Sequence, residues 1–95
     1  MIIKQTRIIN KSGLHARPAS ELVKTAKKYN SKITIRKMEN DGEEVNAKSI
    51  VRLLAEGIGQ GTKVELAVDG EDEQVAAEEL IALIECGFHE ENSER

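Results

Sequence analysis

Ser12-Gly13-Leu14-His15-Ala16-Arg17-Pro18-Ala19-Ser20 gathers a glycine, a histidine, an arginine and a proline at one helix start. Pro18 has no amide hydrogen and fits a first helical turn, which predicts a helix beginning near Ala16 or Arg17 with His15 at its cap. The imidazole then faces amides that lack a partner within the helix. Those amides and the positive end of the helix dipole favour an anion at that spot. A neutral imidazole is a nucleophile, and a phosphoryl group placed on it would be held by the same amides and by the Arg17 guanidinium. Gly13 permits an unusual backbone just before the site, and Leu14 can anchor the loop in the core. A capping or solvated histidine has the same neighbours, so residue chemistry alone leaves both readings open.

Outward from this stretch, β-branched residues with a polar interleave mark Ile2 to Ile9 as a strand, and Ile33-Thr34-Ile35 and Val64-Glu65-Leu66-Ala67-Val68 alternate at period two. The first helix carries Ala19, Leu22, Val23, Ala26 and then Tyr29 or Asn30 on one face, and Asn30-Ser31 closes it. Asn40-Asp41-Gly42 predicts a turn joining residues 32–38 and 43–46 in a hairpin whose second strand is a short edge. A second helix is predicted over residues 47–55, with Asn46 as its cap and Ser49 in its first turn. The last helix starts after Asp69-Gly70, has Glu71, Asp72 and Glu73 in its first turn, and buries Ala76, Leu80, Leu83 and Ile84. Gly87 is placed to end it and Phe88 to fold back as a plug. These elements predict an α+β fold: a four-stranded antiparallel sheet with all three helices on one face, formed by one domain over residues 1–88. Residues 89–95 follow as a polar tail.

Ninety-five residues suffice for one modest core, which must be built from Ile, Leu, Val and Ala because Tyr29 and Phe88 are the only tyrosine and phenylalanine and tryptophan is absent. The solitary Cys86 cannot form an internal disulfide, and no apolar run reaches the length of a signal or membrane segment, which predicts a cytoplasmic protein without membrane insertion. His89 in an acidic tail and Cys86 at a helix end supply no metal-ligand set. Gly57, Gly59 and Gly61 alternate without a nucleotide-binding fingerprint and read as a flexible turn, so neither metal nor cofactor is predicted.

Charge is divided unevenly: residues 1–38 carry a net +9 and residues 39–95 a net −12. The basic residues are spread over strands and a helix with almost no aromatic residues to stack on bases, which argues against direct nucleic-acid binding. Arg17, Lys24, Lys27 and Lys28 instead make a basic face beside His15, either an ordinary solvated face or one that steers an acidic partner. The acid nearest to His15 along the chain, Glu21, is too far round the helix to act as a second catalytic group, so the chemistry is expected to be shared with a partner.

Gly13-Leu14-His15-Ala16-Arg17-Pro18-Ala19 resembles the active-site signature of the HPr family, the histidine-containing phosphocarriers of the bacterial phosphoenolpyruvate-dependent sugar phosphotransferase system. Val45-Asn46-Ala47-Lys48-Ser49-Ile50 is similar to the segment holding the family's regulatory serine, and Gly57-Ile58-Gly59-Gln60-Gly61-Thr62 to the loop that follows it. The resemblance covers residues 2–88 and implies an open-faced sandwich with strand order 1-4-2-3. It implies a carrier and not an enzyme: phosphoenolpyruvate phosphorylates Enzyme I, which passes the phosphoryl group to His15, which passes it to EIIA components. By the same resemblance the phosphoryl group sits on Nδ1 of His15, Arg17 balances its charge, the Ala16 and Arg17 amides complete the pocket, and Pro18 starts the helix. An apolar docking surface of Leu14, Ala47, Ile50, Val51 and Leu54 is expected around the histidine, beside Lys24 and Lys27. Small, transient contacts suit such a carrier, so a monomer is expected.

The resemblance further implies that an HPr kinase/phosphorylase modifies Ser49, which weakens transfer and in some bacteria creates a surface for a transcription regulator. Arg52 stands where a small residue is common in the family, and the hairpin around Met38 to Glu43 is longer than usual. Ile3-Lys4-Gln5-Thr6 and Ile84-Glu85-Cys86-Gly87-Phe88 look like the nitrogen-related sister carrier, whereas Lys48-Ser49-Ile50 favours the sugar branch. A binding module of corepressor type, acting through Ser49 with little use of His15, is the third alternative.

Overall fold

In the computed structural model, residues 1–39 and 42–89 are described. Along the chain they form β1 (Ile2–Arg7), α1 (Ala16–Lys27), β2 (Lys32–Lys37), β3 (Val45–Asn46), α2 (Ile50–Glu56), β4 (Lys63–Asp69) and α3 (Glu73–Glu85), followed by a single 3₁₀ turn at Gly87–His89. The strands make one antiparallel sheet in the order β1-β4-β2-β3.

β4 lies at the sheet's interior, paired with both β1 and β2, and its alternation shows that one face is covered: Val64, Leu66 and Val68 are buried, while Lys63 and Asp69 are exposed. Its register places Gln5 beside Glu65 on β1 and Arg36 beside Glu65 on β2. On that uncovered face Arg36 Nε donates to Glu65 at 2.8 Å, and Gln5 donates to the other carboxylate oxygen at 3.4 Å. The opposite face meets the helices. Leu22 and Ala26 of α1, Leu53 of α2 and Ala76, Leu80 and Ile84 of α3 are all 0 % exposed against Ile33, Ile35, Leu66 and Val68 of the sheet. The result is the open-faced sandwich expected from the sequence.

Three boundaries differ from the sequence expectation. α2 begins at Ile50, not at residue 47, because Ser49 and not Asn46 is its cap: the Ser49 hydroxyl accepts the Arg52 amide at 3.3 Å. Asn46 instead uses its side-chain oxygen two residues on, at the Lys48 amide, 2.9 Å away. α1 ends at Lys27, so Tyr29 packs beyond the helix, half-buried against the core. α3 begins at Glu73, two residues later than expected, with Asp72 as the residue before it and the Asp72 carboxylate engaged by Ser31 and Asn30. Phe88 does fold back, 4 % exposed, at a positive φ of 58°. The Asn40-Asp41 part of the expected hairpin turn and residues 90–95 of the expected tail lie outside the described residues.

Candidate functional site

His15 caps α1 with extended backbone, φ −92° and ψ −163°, and its side chain makes no capping hydrogen bond. Its carbonyl accepts the Ala19 amide at 2.8 Å. Pro18 has no amide hydrogen, so Ala16 and Arg17 hold the two first-turn amides that the helix itself leaves without a partner. His15, Ala16 and Arg17 are exposed, whereas Pro18 and Ala19 are buried and seat the turn on the core. An exposed imidazole, two amides without a partner among the described residues and a guanidinium therefore sit within three consecutive residues, an arrangement suited to holding a tetrahedral anion next to a nucleophilic nitrogen.

The loop that delivers His15 is fastened to the loop after α2. The Leu14 amide donates to the Ile58 carbonyl at 2.8 Å, the Gly61 amide to the Ile8 carbonyl at 2.7 Å, and the Ile8 amide to the Thr62 carbonyl at 2.9 Å. Gln60 Nε2 adds a bond to the Ile9 carbonyl at 3.0 Å, and Arg7 one to the Gly61 carbonyl at 3.2 Å. Residues 57–61, read from sequence as a flexible turn, are thus a bracket for the histidine loop. Gly57 ends α2 in the left-handed region at φ 60°. Of this neighbourhood, sequence reasoning missed Asn10 and read Ile58, Gly59 and Gln60 only as part of a turn. Asn-Lys-Ser-Gly at 10–13 is a turn signal that could have singled out Asn10, whereas the pairing of Ile8, Ile9 and Leu14 with the loop after α2 has no local signature.

The residues expected to form a docking surface differ in exposure. Val51 is 71 % and Leu54 44 % exposed on α2, and Ile50 is half-buried beside them. Leu14 and Ala47, expected beside them, are instead core residues at 2 % and 0 % exposure, Leu14 because its loop is drawn inward by Ile58, and Ala47 because its amide donates to the Ile33 carbonyl at 2.9 Å and ties it to β2. Lys24 and Lys27 are exposed in the last turn of α1, where they also suit the negative end of its dipole. Lys28 turns away to Glu79, 2.8 Å distant.

The far end of α1 is fixed to α3. Glu79 takes the Lys28 ammonium and the Tyr29 hydroxyl, and these two hydrogen bonds, Lys28 first, hold its carboxyl below the usual range. Lys48 Nζ donates to the Tyr29 carbonyl at 2.7 Å. No group of three or more His, Cys, Asp and Glu side chains among the described residues could hold a metal ion, and no described helix is long and apolar enough to cross a membrane.

The family described as the PTS HPr component phosphorylation site matches residues 2–86. The chain is 47 % identical over 85 residues to the phosphocarrier protein HPr of Borreliella burgdorferi, covering 90 % of this chain and 95 % of that protein. It is also 47 % identical to the HPr-like protein Crh of Halalkalibacterium halodurans, covering 90 % and 98 %. Among solved structures, HPr-C-His of Thermoanaerobacter tengcongensis superposes with a TM-score of 0.88 at 45 % identity, covering 96 % of this chain and 99 % of that one.

Proposed function

Since the chain belongs to the HPr family, whose members are phosphocarriers of the phosphotransferase system, we propose that it serves the sugar branch, taking a phosphoryl group on His15 from phospho-Enzyme I and passing it to EIIA components. The observation that supports this most is the exposed imidazole of His15, with no capping bond, beside the Ala16 and Arg17 amides that have no partner among the described residues. Nδ1 attacks phosphorus with its lone pair while the proton stays on Nε2. The bond from phosphorus to the donor breaks, its electron pair leaving with the donor, and the same exchange in reverse serves the acceptor. The amides and the Arg17 guanidinium hold the three phosphoryl oxygens without committing the group to the carrier. Val51 and Leu54, with Ile50 at their edge, supply the apolar contact for partners, and Lys24 and Lys27 the attraction for acidic ones. The carrier works as a monomer over residues 1–88, with residues 89–95 as an appended tail.

Ser49 is the regulatory position in this reading. A kinase that phosphorylates it adds about two negative charges at the start of α2, next to Val51, which weakens apolar docking. The alternatives are a nitrogen-related carrier with regulatory output and a Ser49-dependent binding module, the latter in view because one similar protein is an HPr-like protein Crh. Labelled phosphoenolpyruvate supplied through sugar-type and nitrogen-type Enzyme I in parallel separates them. Acid-labile label that vanishes in His15→Ala is the expected result, faster with the sugar-type donor. Faster labelling by the nitrogen-type donor moves the chain to that branch, and no label from either moves the function to Ser49.

A further inference from the structure

Asn10 is 6 % exposed and closes a ring on Gly13 in two directions. Its Nδ2 donates to the Gly13 carbonyl at 2.9 Å, and its own carbonyl accepts the Gly13 amide at 3.1 Å. Its Oδ1 is buried and finds no partner among the described residues. An acceptor buried without a partner is a cost that an apolar residue of similar size would not carry, so packing alone does not account for an amide here. What the carboxamide does supply is the bond to Gly13, the residue held at φ +63° against Ile58 and Gly59, two positions before His15. The next amide along, Leu14, is the one taken by Ile58.

We infer that Asn10 is a positioning residue for His15: its side-chain donor holds the Gly13 carbonyl so that Leu14 turns inward and the imidazole leaves the loop toward the free amides of α1. The inference rests on His15 being the phosphoryl acceptor. Asn10 touches neither the phosphoryl group nor a partner, so its effect falls on the geometry of transfer and not on docking.

The test compares Asn10→Ala and Asn10→Ser in the full chain. The two side chains are close in size, but serine keeps a hydroxyl that can donate locally. Transfer kinetics from phospho-Enzyme I and hydrogen exchange at the Gly13 and Leu14 amides are read together. Asn10→Ala should lower kcat about tenfold to a hundredfold with KM changed by less than about twofold, the expected cost of misdirecting a reacting group by around 1 Å. Exchange at Gly13 and Leu14 should accelerate at least tenfold, and Asn10→Ser should fall between Asn10→Ala and the parent in both measurements. Equal behaviour of the Ala and Ser variants, or a parent-like kcat in Asn10→Ala, would overturn the inference. If the parent protein itself takes no label on His15, it is the carrier reading that has failed. The exchange data then still decide the clamp, and unchanged protection at Gly13 in Asn10→Ala overturns it.

Discussion

A Cβ placed on Gly13 would lie 2.6 Å from the Cα of Gly59 and 2.6 Å from the Ile58 carbonyl oxygen, so the histidine loop and the loop after α2 meet backbone to backbone. Gly13 also has φ +63°, where a side chain is strained whatever the space. Gly13→Ala should therefore cost about 2–4 kcal/mol in urea unfolding and slow phosphoryl transfer, because relieving the clash shifts the Leu14–Ile58 bond. Gly59→Ala makes the control: a Cβ there meets nothing within 4 Å, and its cost should stay below about 1 kcal/mol.

Ser49 caps α2 through its hydroxyl, which accepts the Arg52 amide. Ser49→Ala should lower stability by about 1 kcal/mol in denaturant unfolding, while Ser49→Asp, which keeps an acceptor at the cap, should recover most of it. Both variants should still accept phosphate on His15. Ser49→Asp should do so with the higher KM for Enzyme I, since the added charge sits beside Val51.

Much of this was legible locally. Pro18 fixed the start of α1 to within a residue because a proline in the first turn is a steric fact about one position, and the period-two runs of β2 and β4 identify the sheet because only one face of each is covered. The cap of α2 was misplaced because Asn46 and Ser49 are both good capping residues. What separates them is that Ala47 is drawn to Ile33 on β2, a long-range contact. The same kind of contact makes Leu14 and Ala47 core residues. Apolar residues beside a site read alike whether they face a partner or the core, and only the packing of α2 against β3 and α1 tells them apart.

Val51 and Leu54 point outward on α2, whereas Leu53 between them is 0 % exposed. Replacing Val51 or Leu54 by Asp should leave the unfolding free energy within about 0.5 kcal/mol of the parent yet raise KM for phospho-Enzyme I roughly tenfold, because an apolar contact on the partner then faces a carboxylate. Leu53→Ala should show the reverse pattern, with a loss of about 2–5 kcal/mol in stability and a KM close to the parent under folding conditions. Equal KM effects from Leu53→Ala and Val51→Asp would place the docking surface elsewhere.

Acid stability should carry the signature of Asp72. The Ser31 hydroxyl, then the Asn30 and Ser31 amides, all donate to its carboxylate and hold its titration below the ordinary value of 3.8. A carboxyl depressed in the folded state contributes its full stability above the unfolded value and loses it as pH falls through the folded one, because the unfolded chain takes the proton first. The bond network ties the end of α1 to the start of α3, so the loss is felt as global unfolding. In Asp72→Asn the charge is gone at every pH. The stability gap between parent and variant should be constant above about pH 5, begin to close near pH 4 and keep closing at lower pH, as read by urea unfolding at each pH. A gap that stays constant down to pH 2.5 would mean that the carboxylate charge contributes nothing and that the hydrogen bonds to Asp72 serve equally well without it.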